Sequence, residues 1–490
     1  MTRNSIASKW RIDHRLTLAL AALIGVGHFI VVSALTYRVG FPLDDTWIHL
    51  TYARNFVLHG EWAFRLGEAS AGSTSPLWTA LLSIGYLFRL APYIWTFLLG
   101  WLVLSFMAIR SEEIVRRLVP SYRSSIPCAG LFIALAWHLT WAATSGMETL
   151  LHGLIVLIVL GMLAEKSRLY LTLALLAGLS VWVRPDGLTL LGPILFTAFF
   201  QENTWRARGT ALLKICIGFG ILFVFYLLFN LALSGSPLPN TFYAKQAEYA
   251  AYLQSLSLPE RLLDYLLPLI ASPFIVLIPG LFLWIFKVFR ERNWGALAGL
   301  IWALGYIGIY FMRLPAYQHG RYIIPAFPIL YLWGMMGMLE YINSSKANQR
   351  LVLLWQSLLA LLVLTFQFTG ARQNAQDVVF VETQMVQTAQ WVNENLLPDA
   401  ILGVHDVGAI GYFTQNPIID LAGLITPDLV PFIRDESRLG GFLDSKNAEY
   451  LVTFPGWYPQ LTEAKPPIFE ARHDLYKYDG WMTIFHWNRQ

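Results

Sequence analysis

The sequence predicts a polytopic α-helical membrane protein with an α/β domain at its C-terminal end. The 490-residue chain is 56% hydrophobic and only 13% charged, whereas soluble proteins are about 25% charged. Apolar runs recur up to residue 368, and several approach the about 20 residues that cross a bilayer. The last segment, 369–490, is polar. We therefore expect a membrane domain at 1–368 and a second domain at 369–490.

The first apolar run, 16–36, fixes the predicted orientation. Four basic residues precede it: Arg3, Lys9, Arg11 and Arg15. Because positive residues stay in the cytoplasm, the N-terminus is predicted to be cytoplasmic and the loop 37–91 to lie outside. No small-residue cleavage site of the A-x-A kind follows the run, so we expect a retained helix rather than a signal peptide.

Further spans follow from apolar runs checked against basic clusters. They are predicted at 92–109, 126–144, 150–164, 169–183, 188–200, 212–233, 262–289, 295–312, 323–341 and 351–368. With the first run this makes about eleven spans, and it keeps the basic clusters 110–123, 166–168, 206–214, 287–292 and 346–350 in the cytoplasm. The run 76–90 is predicted to be a re-entrant or surface-lying helix, because a crossing there would place the 110–123 cluster outside.

The C-terminal segment has the pattern of a small α/β domain. It contains eight basic and fifteen acidic residues, a net charge of −7, while the rest of the chain carries +11. This charge argues against nucleic acid and anionic lipid surfaces as its partners. A helix is predicted at 377–396, and strands in AILGVHD, PIIDLAG, EYLVTF and WMTIFHW. Cys128 and Cys216 exclude a disulfide framework and are expected to be buried.

Asp44 and Asp45 stand out in the loop, within FPLDDTWIHLTYARNF. Two adjacent carboxylates at a membrane surface are costly, which favours a general base or an ion site. The following TWIHLTYARNFVLHG has a broad apolar face, so we expect an interfacial helix capped by the two aspartates. A solvated loop with a helix cap is the simpler alternative.

The other polar residues that suggest chemistry also fall on the predicted outer face. They are Arg54, Glu148, Arg184, Asp186, Asn240, Lys245, His319, Arg321, His405 and Asp406. No nucleotide sugar reaches this face, so a group-transfer reaction there needs a donor that arrives activated, such as a lipid-linked phosphate. Arg184, Lys245 and Arg321 are candidate phosphate ligands.

Several of these residues also have structural interpretations. The arginines can snorkel, Lys245 can be solvated, Glu148 can cap the helix after it, and His319 can bond a backbone carbonyl instead of a phosphate. The Arg184-Pro185-Asp186-Gly187 turn is expected to face a polar cavity. Asp44 is predicted to take a proton from an acceptor hydroxyl, with Asp45 as its helper.

Seven runs resemble one known superfamily. They are DDTWIHLTYARN, AGSTSPLW, SGMETLL, VRPDG, PLPNTFYAK, RYIIPAFP and DVGAIGYF…IIDLAGL. Together they resemble GT-C integral-membrane glycosyltransferases that use polyprenyl-phosphate sugars, most of all the bacterial branch with the cell-wall arabinofuranosyltransferases. The resemblance implies a GT-C catalytic domain and a catalytic acid at Asp44; superfamily members differ at the position of Asp45.

The resemblance also implies the partners and the compartment. The donor would be a polyprenyl-phosphate sugar, and the acceptor an envelope glycan, lipid or protein, on the outer face of a bacterial cytoplasmic membrane. From their own chemistry, Arg184, Arg321, Lys245 and His319 are predicted to hold the donor phosphate. The predicted substrate contacts are Arg54, Glu148, Asp186, Asn240, His405 and Asp406. No cofactor or metal site is predicted.

Two other classes remain open: a secondary transporter and a non-catalytic, glycan-binding assembly protein. A transporter should show an internal repeat and charges near the bilayer midplane, whereas these charges lie at predicted outer ends. A variant that lacks the Asp44 carboxylate separates both classes from an enzyme.

Overall fold

A computed structural model describes residues 3–345, 347–477 and 480–487 of the chain. Lys346, in the last predicted basic cluster, lies outside the described residues. In the first half the α-helices are α1 Arg3–Thr36, α2 Asp45–His59, α3 Pro76–Leu87, α4 Pro92–Leu118, α5 Cys128–Ala134, α6 Trp137–Thr144, α7 Thr149–Ala164, α8 Tyr170–Val183, α9 Leu191–Gln201 and α10 Trp205–Ser234. The later ones are α11 Asn240–Ser255, α12 Leu258–Ile270, α13 Ile278–Arg290, α14 Trp294–Arg313, α15 Phe327–Ile342, α16 Gln349–Phe380, α17 Gln387–Asn395, α18 Val407–Phe413, α19 Glu436–Ser445 and α20 Pro459–Thr462.

The strands form two sheets. Their bounds are β1 Ala63–Arg65, β2 Glu68–Ala69, β3 Leu402–Val404, β4 Ile418–Asp420, β5 Tyr450–Thr453, β6 Pro467–Glu470 and β7 Thr483–His486. β1 and β2 make a small hairpin in the loop before α3. The other five form a sheet of order β4-β3-β5-β7-β6, in which β3 is parallel to β4 and β5, and β7 is antiparallel to β5 and β6.

Among the described residues, seven helical segments are long and apolar enough to cross a membrane. They are His14–Thr36, Pro92–Leu118, Trp205–Ser234, Pro273–Arg290, Trp294–Arg313, Gln318–Ile342 and Gln349–Asn395. Four predicted spans instead coincide with helices of 7 to 16 residues, α5 to α9. The protein is a multi-pass membrane protein, and about eleven spans stays a prediction.

Two of the predicted spans are broken. The run 126–144 divides into α5 and α6 at Ala136, whose backbone is extended; neither proline nor glycine marks this break in the sequence. The run 262–289 divides into α12 and α13 around a 3-10 turn that starts at Pro273. Proline removes a helical hydrogen bond donor, which explains the second break but not the first.

Helix α2 is not the surface-lying helix that its apolar face suggests. Trp47, Leu50 and Tyr52 are buried, and the helix packs on α3 and on α18 of the C-terminal segment. Protein therefore covers the face that was expected to contact lipid. Nor do the aspartates cap α2, because the Asp44 side chain makes no hydrogen bond to the first turn of this helix.

The two cysteines also depart from expectation. Cys216 is exposed and Cys128 is partly exposed. Cys216 lies on α10, where neighbouring apolar side chains such as Leu213 and Ile217 are exposed as well. A helix face turned toward lipid leaves a cysteine accessible even in a very apolar run.

The predicted domain boundary at residue 369 falls inside one continuous helical segment. Helix α16 runs to Phe380, continues as a π-helical turn at Val381–Val386, and joins α17 directly. A buried carboxylate holds the turn, because Glu382 pairs with Arg38 and accepts a hydrogen bond from Tyr93 Oη at 3.1 Å. The last membrane helix thus enters the C-terminal domain without a linker.

Helices α13 and α15 contact each other through glycines. A Cβ on Gly337 would lie 1.8 Å from the carbonyl oxygen of Gly280, so only glycine permits this approach. Replacing Gly337 by alanine should force the helices apart and destabilise the protein by about 1–3 kcal/mol. The measurement is the thermal unfolding midpoint of the detergent-solubilised protein. Gly220→Ala, on α10 with nothing within 4 Å, should lower it little, and equal midpoints for both variants would refute the packing argument.

Candidate active site

A polar cavity of about 720 Å³ lies where the loop before α3 meets the bundle. That volume suits a small-molecule ligand. Its charged and titratable lining residues are Asp45, His49, Glu148, Arg184, Asp186, Lys245, Tyr306, Tyr310, Arg313, Arg321 and Tyr322. Apolar surface lines the cavity as well, and α14 contributes Gly305, Gly308, Ile309 and Met312 to it. Polar chemistry and lipid-facing surface thus share one cavity.

Asp45 is the carboxylate of the adjacent pair that lines the cavity. Its Oδ2 accepts a hydrogen bond from Arg321 Nη2 at 2.8 Å and lies 3.5 Å from Lys245 Nζ. Burial alone would raise the pKa of Asp45, but the charges of Lys245 and Arg321 lower it below its usual range. Asp45 is therefore an ionised side chain that already holds two cations.

Asp44 faces the C-terminal domain. Its Oδ2 accepts the backbone N–H of Gly408 at 2.7 Å, and its Oδ1 that of Ala409 at 2.8 Å. Burial and the neighbouring Asp406 raise the pKa of Asp44 to about 8, although the two N–H groups oppose the rise. Both oxygens are engaged at the start of α18, so the structure places Asp45, rather than the preferred Asp44, on the cavity wall.

Arg184 is fully paired. Its Nη1 donates to Glu148 at 3.1 Å, its Nε to Asp186 at 3.2 Å, and its Nη2 to Tyr310 Oη at 3.0 Å. Asp186 also accepts hydrogen bonds from Tyr306 and Tyr310. Every guanidinium nitrogen thus has an acceptor, although these three bonds use only three of its five N–H groups, and Arg184 lines the cavity.

Glu148 does not cap its own helix, because no side-chain hydrogen bond closes the N-terminus of α7. Its second oxygen lies 3.5 Å from His49 Nε2. The other nitrogen of His49 is 3.2 Å from both Ser73 Oγ and Thr79 Oγ1. His49 thereby joins the Glu148–Arg184 pair to the turn before α3.

Arg321 differs from Arg184 in having one guanidinium nitrogen without a partner among the described residues. Its Nη2 binds Asp45 and Tyr322 Oη, but its Nη1 is buried without a hydrogen bond partner among the described residues. Arg321 is only 6% exposed, so an unmatched N–H there is costly. Arg313, at the end of α14, also lines the cavity and forms no ion pair with a described residue.

Three predicted site residues point elsewhere. His319 Nε2 lies 2.7 Å from Asp377 Oδ2 and packs against two tryptophan rings, outside the cavity wall. Arg54 Nη1 donates to the carbonyl of Tyr412 at 2.6 Å and so ties α2 to α18. Asn240 is buried at the first position of α11, the helix that carries Lys245 into the cavity.

His405 and Asp406 lie on the other side of the aspartate pair. His405 Nε2 is 3.2 Å from Glu248 Oε1, and Nδ1 is 2.8 Å from Tyr458 Oη. Burial alone would lower the pKa of His405, but the hydrogen bond to Glu248 raises it above its usual value. Asp406 Oδ2 is buried and has no hydrogen bond partner among the described residues. His405 thus links the C-terminal domain to α11.

The sequence interpretation missed several site residues. They are His49, Glu248, Tyr306, Tyr310, Arg313 and Tyr322. Spacing offered a signal for some: His49 is four residues after Asp45 on α2, and Tyr306 and Tyr310 are four apart on α14, so each pair shares a helix face. For Arg313 and Tyr322 the sequence contains no comparable spacing signal.

No group of three or more His, Cys, Asp or Glu side chains within residues 3–345, 347–477 and 480–487 could hold a metal ion. The prediction that no cofactor is required stays a prediction.

Comparisons with known proteins extend this description. A family model for a domain of unknown function (DUF8728) matches residues 373–485, the part that contains the five-stranded sheet. The terminal beta-(1->2)-arabinofuranosyltransferase of Mycobacterium tuberculosis is 30% identical over 251 residues. That match covers 47% of this chain and 37% of the relative, so the chain matches well under half of that protein.

Solved structures match over almost the whole chain. ArnT from Cupriavidus metallidurans bound to undecaprenyl phosphate has a TM-score of 0.58 at 15% identity, covering 96% of this chain and 97% of its own. The oligosaccharyltransferase AglB from Archaeoglobus fulgidus, in complex with an inhibitory peptide and a dolichol-phosphate, has a TM-score of 0.59 at 13% identity, covering 90% and 69%. The chain has the GT-C fold. Mycobacterial arabinofuranosyltransferase AftD also matches this GT-C fold, with a TM-score of 0.53 at 13% identity over 97% of this chain and 42% of that one.

The contact between Asp44 and α18 of this GT-C chain requires glycine. A Cβ on Gly408 would lie 2.1 Å from the Asp44 carbonyl oxygen and 2.6 Å from Oδ2. Gly408→Ala should push α18 away from α2 and destabilise the contact by about 1–3 kcal/mol. Limited proteolysis should then release the C-terminal domain sooner than in the wild type. Gly441→Ala, on α19 with nothing within 4 Å, is the control, and identical cleavage rates would contradict the assignment.

Proposed function

We propose that this chain is a membrane glycosyltransferase that moves a sugar from a polyprenyl-phosphate donor to a hydroxyl of an envelope glycan, lipid or protein acceptor. The donor phosphate would bind in the cavity of Asp45, on the outer face of the membrane. Support comes from the GT-C fold, from the arabinofuranosyltransferase relative, and from the lipid phosphates in two structural neighbours.

The observation that carries the proposal is the unmatched Arg321 Nη1. A buried donor without an acceptor costs about 1–3 kcal/mol, and a phosphate oxygen in the cavity would supply that acceptor. Lys245 and Arg313 line the same cavity and add two further cations. Asp45 pairs with both Arg321 and Lys245, so one negative charge faces two cations. The site can therefore attract a further anion.

The apolar wall favours a lipid-linked donor. Gly305 and Gly308 on α14 have nothing within 4 Å of where a Cβ would be, so the surface between them is open. Ile309 is 46% and Met312 67% exposed, on a helix apolar enough to span the membrane. A polyprenyl chain can leave the cavity along this face while its phosphate stays with Arg321.

Donor binding and base activation are coupled in this arrangement. A phosphate that binds Arg321 and Lys245 competes with Asp45 for the same two cations. Sharing those charges raises the pKa of Asp45, which makes its carboxylate a better proton acceptor. The acceptor oxygen then bonds to the anomeric carbon, the bond from that carbon to the phosphate oxygen breaks, and the lipid phosphate departs as an anion. The hydroxyl proton passes to Asp45.

Asp44 would act as a positioning residue. It fixes α18 beside Asp45 through two backbone hydrogen bonds. On that side Asp406 Oδ2 has no hydrogen bond partner in the described part of the chain, and His405 is held by Glu248. We therefore expect the acceptor to approach from the C-terminal domain, opposite the lipid phosphate.

Asp45→Asn tests the base and the competition together. The variant should lose about 10²–10⁴-fold in sugar transfer, yet bind a short-chain polyprenyl phosphate at least as tightly, because the amide no longer competes for Arg321. Transfer is measured in reconstituted membranes and binding by calorimetry. Asp428→Asn, an exposed position of the C-terminal domain, should change neither. Full transfer by Asp45→Asn would refute the base assignment; a transporter or a binding protein would show no transfer in any variant.

Arg321→Gln tests the phosphate site. It should weaken binding of the same polyprenyl phosphate about 10–100-fold, since hydrogen bonds to charged groups are worth about 1.5–3 kcal/mol. Arg321→Lys keeps the positive charge but not the planar guanidinium group that can bind two oxygens, so its loss of affinity should be smaller than that of Arg321→Gln. Arg372→Gln, an exposed arginine on α16, is the matched control. Unchanged affinity in Arg321→Gln would contradict the phosphate site.

A further inference from the structure

A second polar cavity lies at the opposite end of the bundle. It encloses about 400 Å³ between the C-terminal ends of α4, α7 and α13. Its wall includes Arg117, Glu165, Lys166, Trp284, Lys287 and Glu291. Helix α7 begins at the Asp45 cavity with Thr149 and ends here with Ala164, so the two cavities occupy opposite ends of the same helix. This end is the predicted cytoplasmic face.

The acids of this second cavity are already matched by cations. Glu165 accepts hydrogen bonds from Arg110 at 2.7 Å and from Arg117 at 2.8 Å. Lys287 pairs with Glu340 at 2.7 Å and lies 3.9 Å from Glu291. By contrast, the Lys166 ammonium forms no hydrogen bond or ion pair with a described residue. The wall therefore keeps an unpaired positive charge.

A buried donor without an acceptor lines the same cavity. Trp284 is 2% exposed, and its indole N–H has no hydrogen bond partner among the described residues. Indole nitrogen can only donate, so an oxygen ligand is required to satisfy it. The Lys287 ammonium lies 5.0 Å from the centre of the Trp284 ring, which places a cation beside this donor.

We propose that this cavity binds the phosphate of an anionic lipid head group. Trp284 supplies a free donor and Lys166 an unpaired charge, and the oxygens of one phosphate can meet both. Acyl chains have a surface next to the site, because Phe282, Phe286 and Phe289 of α13 are 58–70% exposed. Basic pockets between helices on the cytoplasmic side recognise lipid phosphates in this way. The site is independent of the transfer reaction.

Two substitutions remove one donor each. Trp284→Phe removes the unmatched N–H together with the five-membered part of the buried indole, so the variant should lose some stability to the smaller side chain. Lys166 has a left-handed backbone, with φ of 60°, which asparagine adopts readily; Lys166→Asn therefore removes the charge without adding strain. Trp355→Phe, whose indole donates to the Val276 carbonyl at 2.8 Å, and Lys214→Asn on the exposed face of α10 are the matched controls.

The test uses the full chain in mild detergent with phosphatidylglycerol or phosphatidylcholine, and native mass spectrometry counts the retained lipid. The wild type should retain phosphatidylglycerol in preference, and Trp284→Phe and Lys166→Asn should each weaken retention about tenfold, as loss of one charge-assisted hydrogen bond implies. If millimolar inorganic phosphate displaces phosphatidylglycerol, the site is assigned to free phosphate. If phosphatidylglycerol stays bound, the site is assigned to the lipid. Equal retention of both lipids, or test variants indistinguishable from their controls, would overturn the proposal.

Discussion

The pairing of Asp45 with Arg321 and Lys245 is the contact on which this end of the bundle depends. It joins α2, α11 and the segment before α15, which are far apart in sequence. A buried carboxylate needs such partners, and removing one would leave an uncompensated charge. Because Asp44 turns to the opposite side and holds α18, two consecutive residues connect the membrane bundle and the sheet domain. The dipeptide is thus both a joint of the fold and the centre of the candidate chemistry.

Two arginines near this joint show why residue type alone does not assign a role. Each guanidinium nitrogen of Arg184 donates to Glu148, Asp186 or Tyr310. In Arg321, Nη1 has no hydrogen bond partner among the described residues. The two arginines thus differ in how far the protein itself pairs them. Both were equal candidates in the sequence, because saturation by tertiary partners leaves no trace in local spacing.

Composition predicted a membrane protein, and the resemblance of seven runs to a known superfamily implied the GT-C fold. Residue type and position drew attention to Asp44, Asp45, Lys245 and Arg321. Sequence could not predict which aspartate faces the cavity, since that depends on how α18 approaches α2 across more than 350 residues of chain. It also could not predict the break at Ala136, which neither proline nor glycine marks, or the partner of His319, which lies on α16. For the aspartates and for His319, a contact distant in sequence decides where the side chain lies.

The π-helical turn at Val381–Val386 sets the angular position of everything that follows it. One added residue in a helix of about 3.6 residues per turn rotates the next face by about 100°. Helix α17 therefore presents its buried side, with Ala389 and Val392, toward the sheet domain, instead of the side that an uninterrupted α16 would present. A single-residue deletion at this turn would rotate the domain around the helix axis. The alignment of α18 with Asp44 therefore depends on the rotational phase of α16, which begins at the opposite end of the bundle.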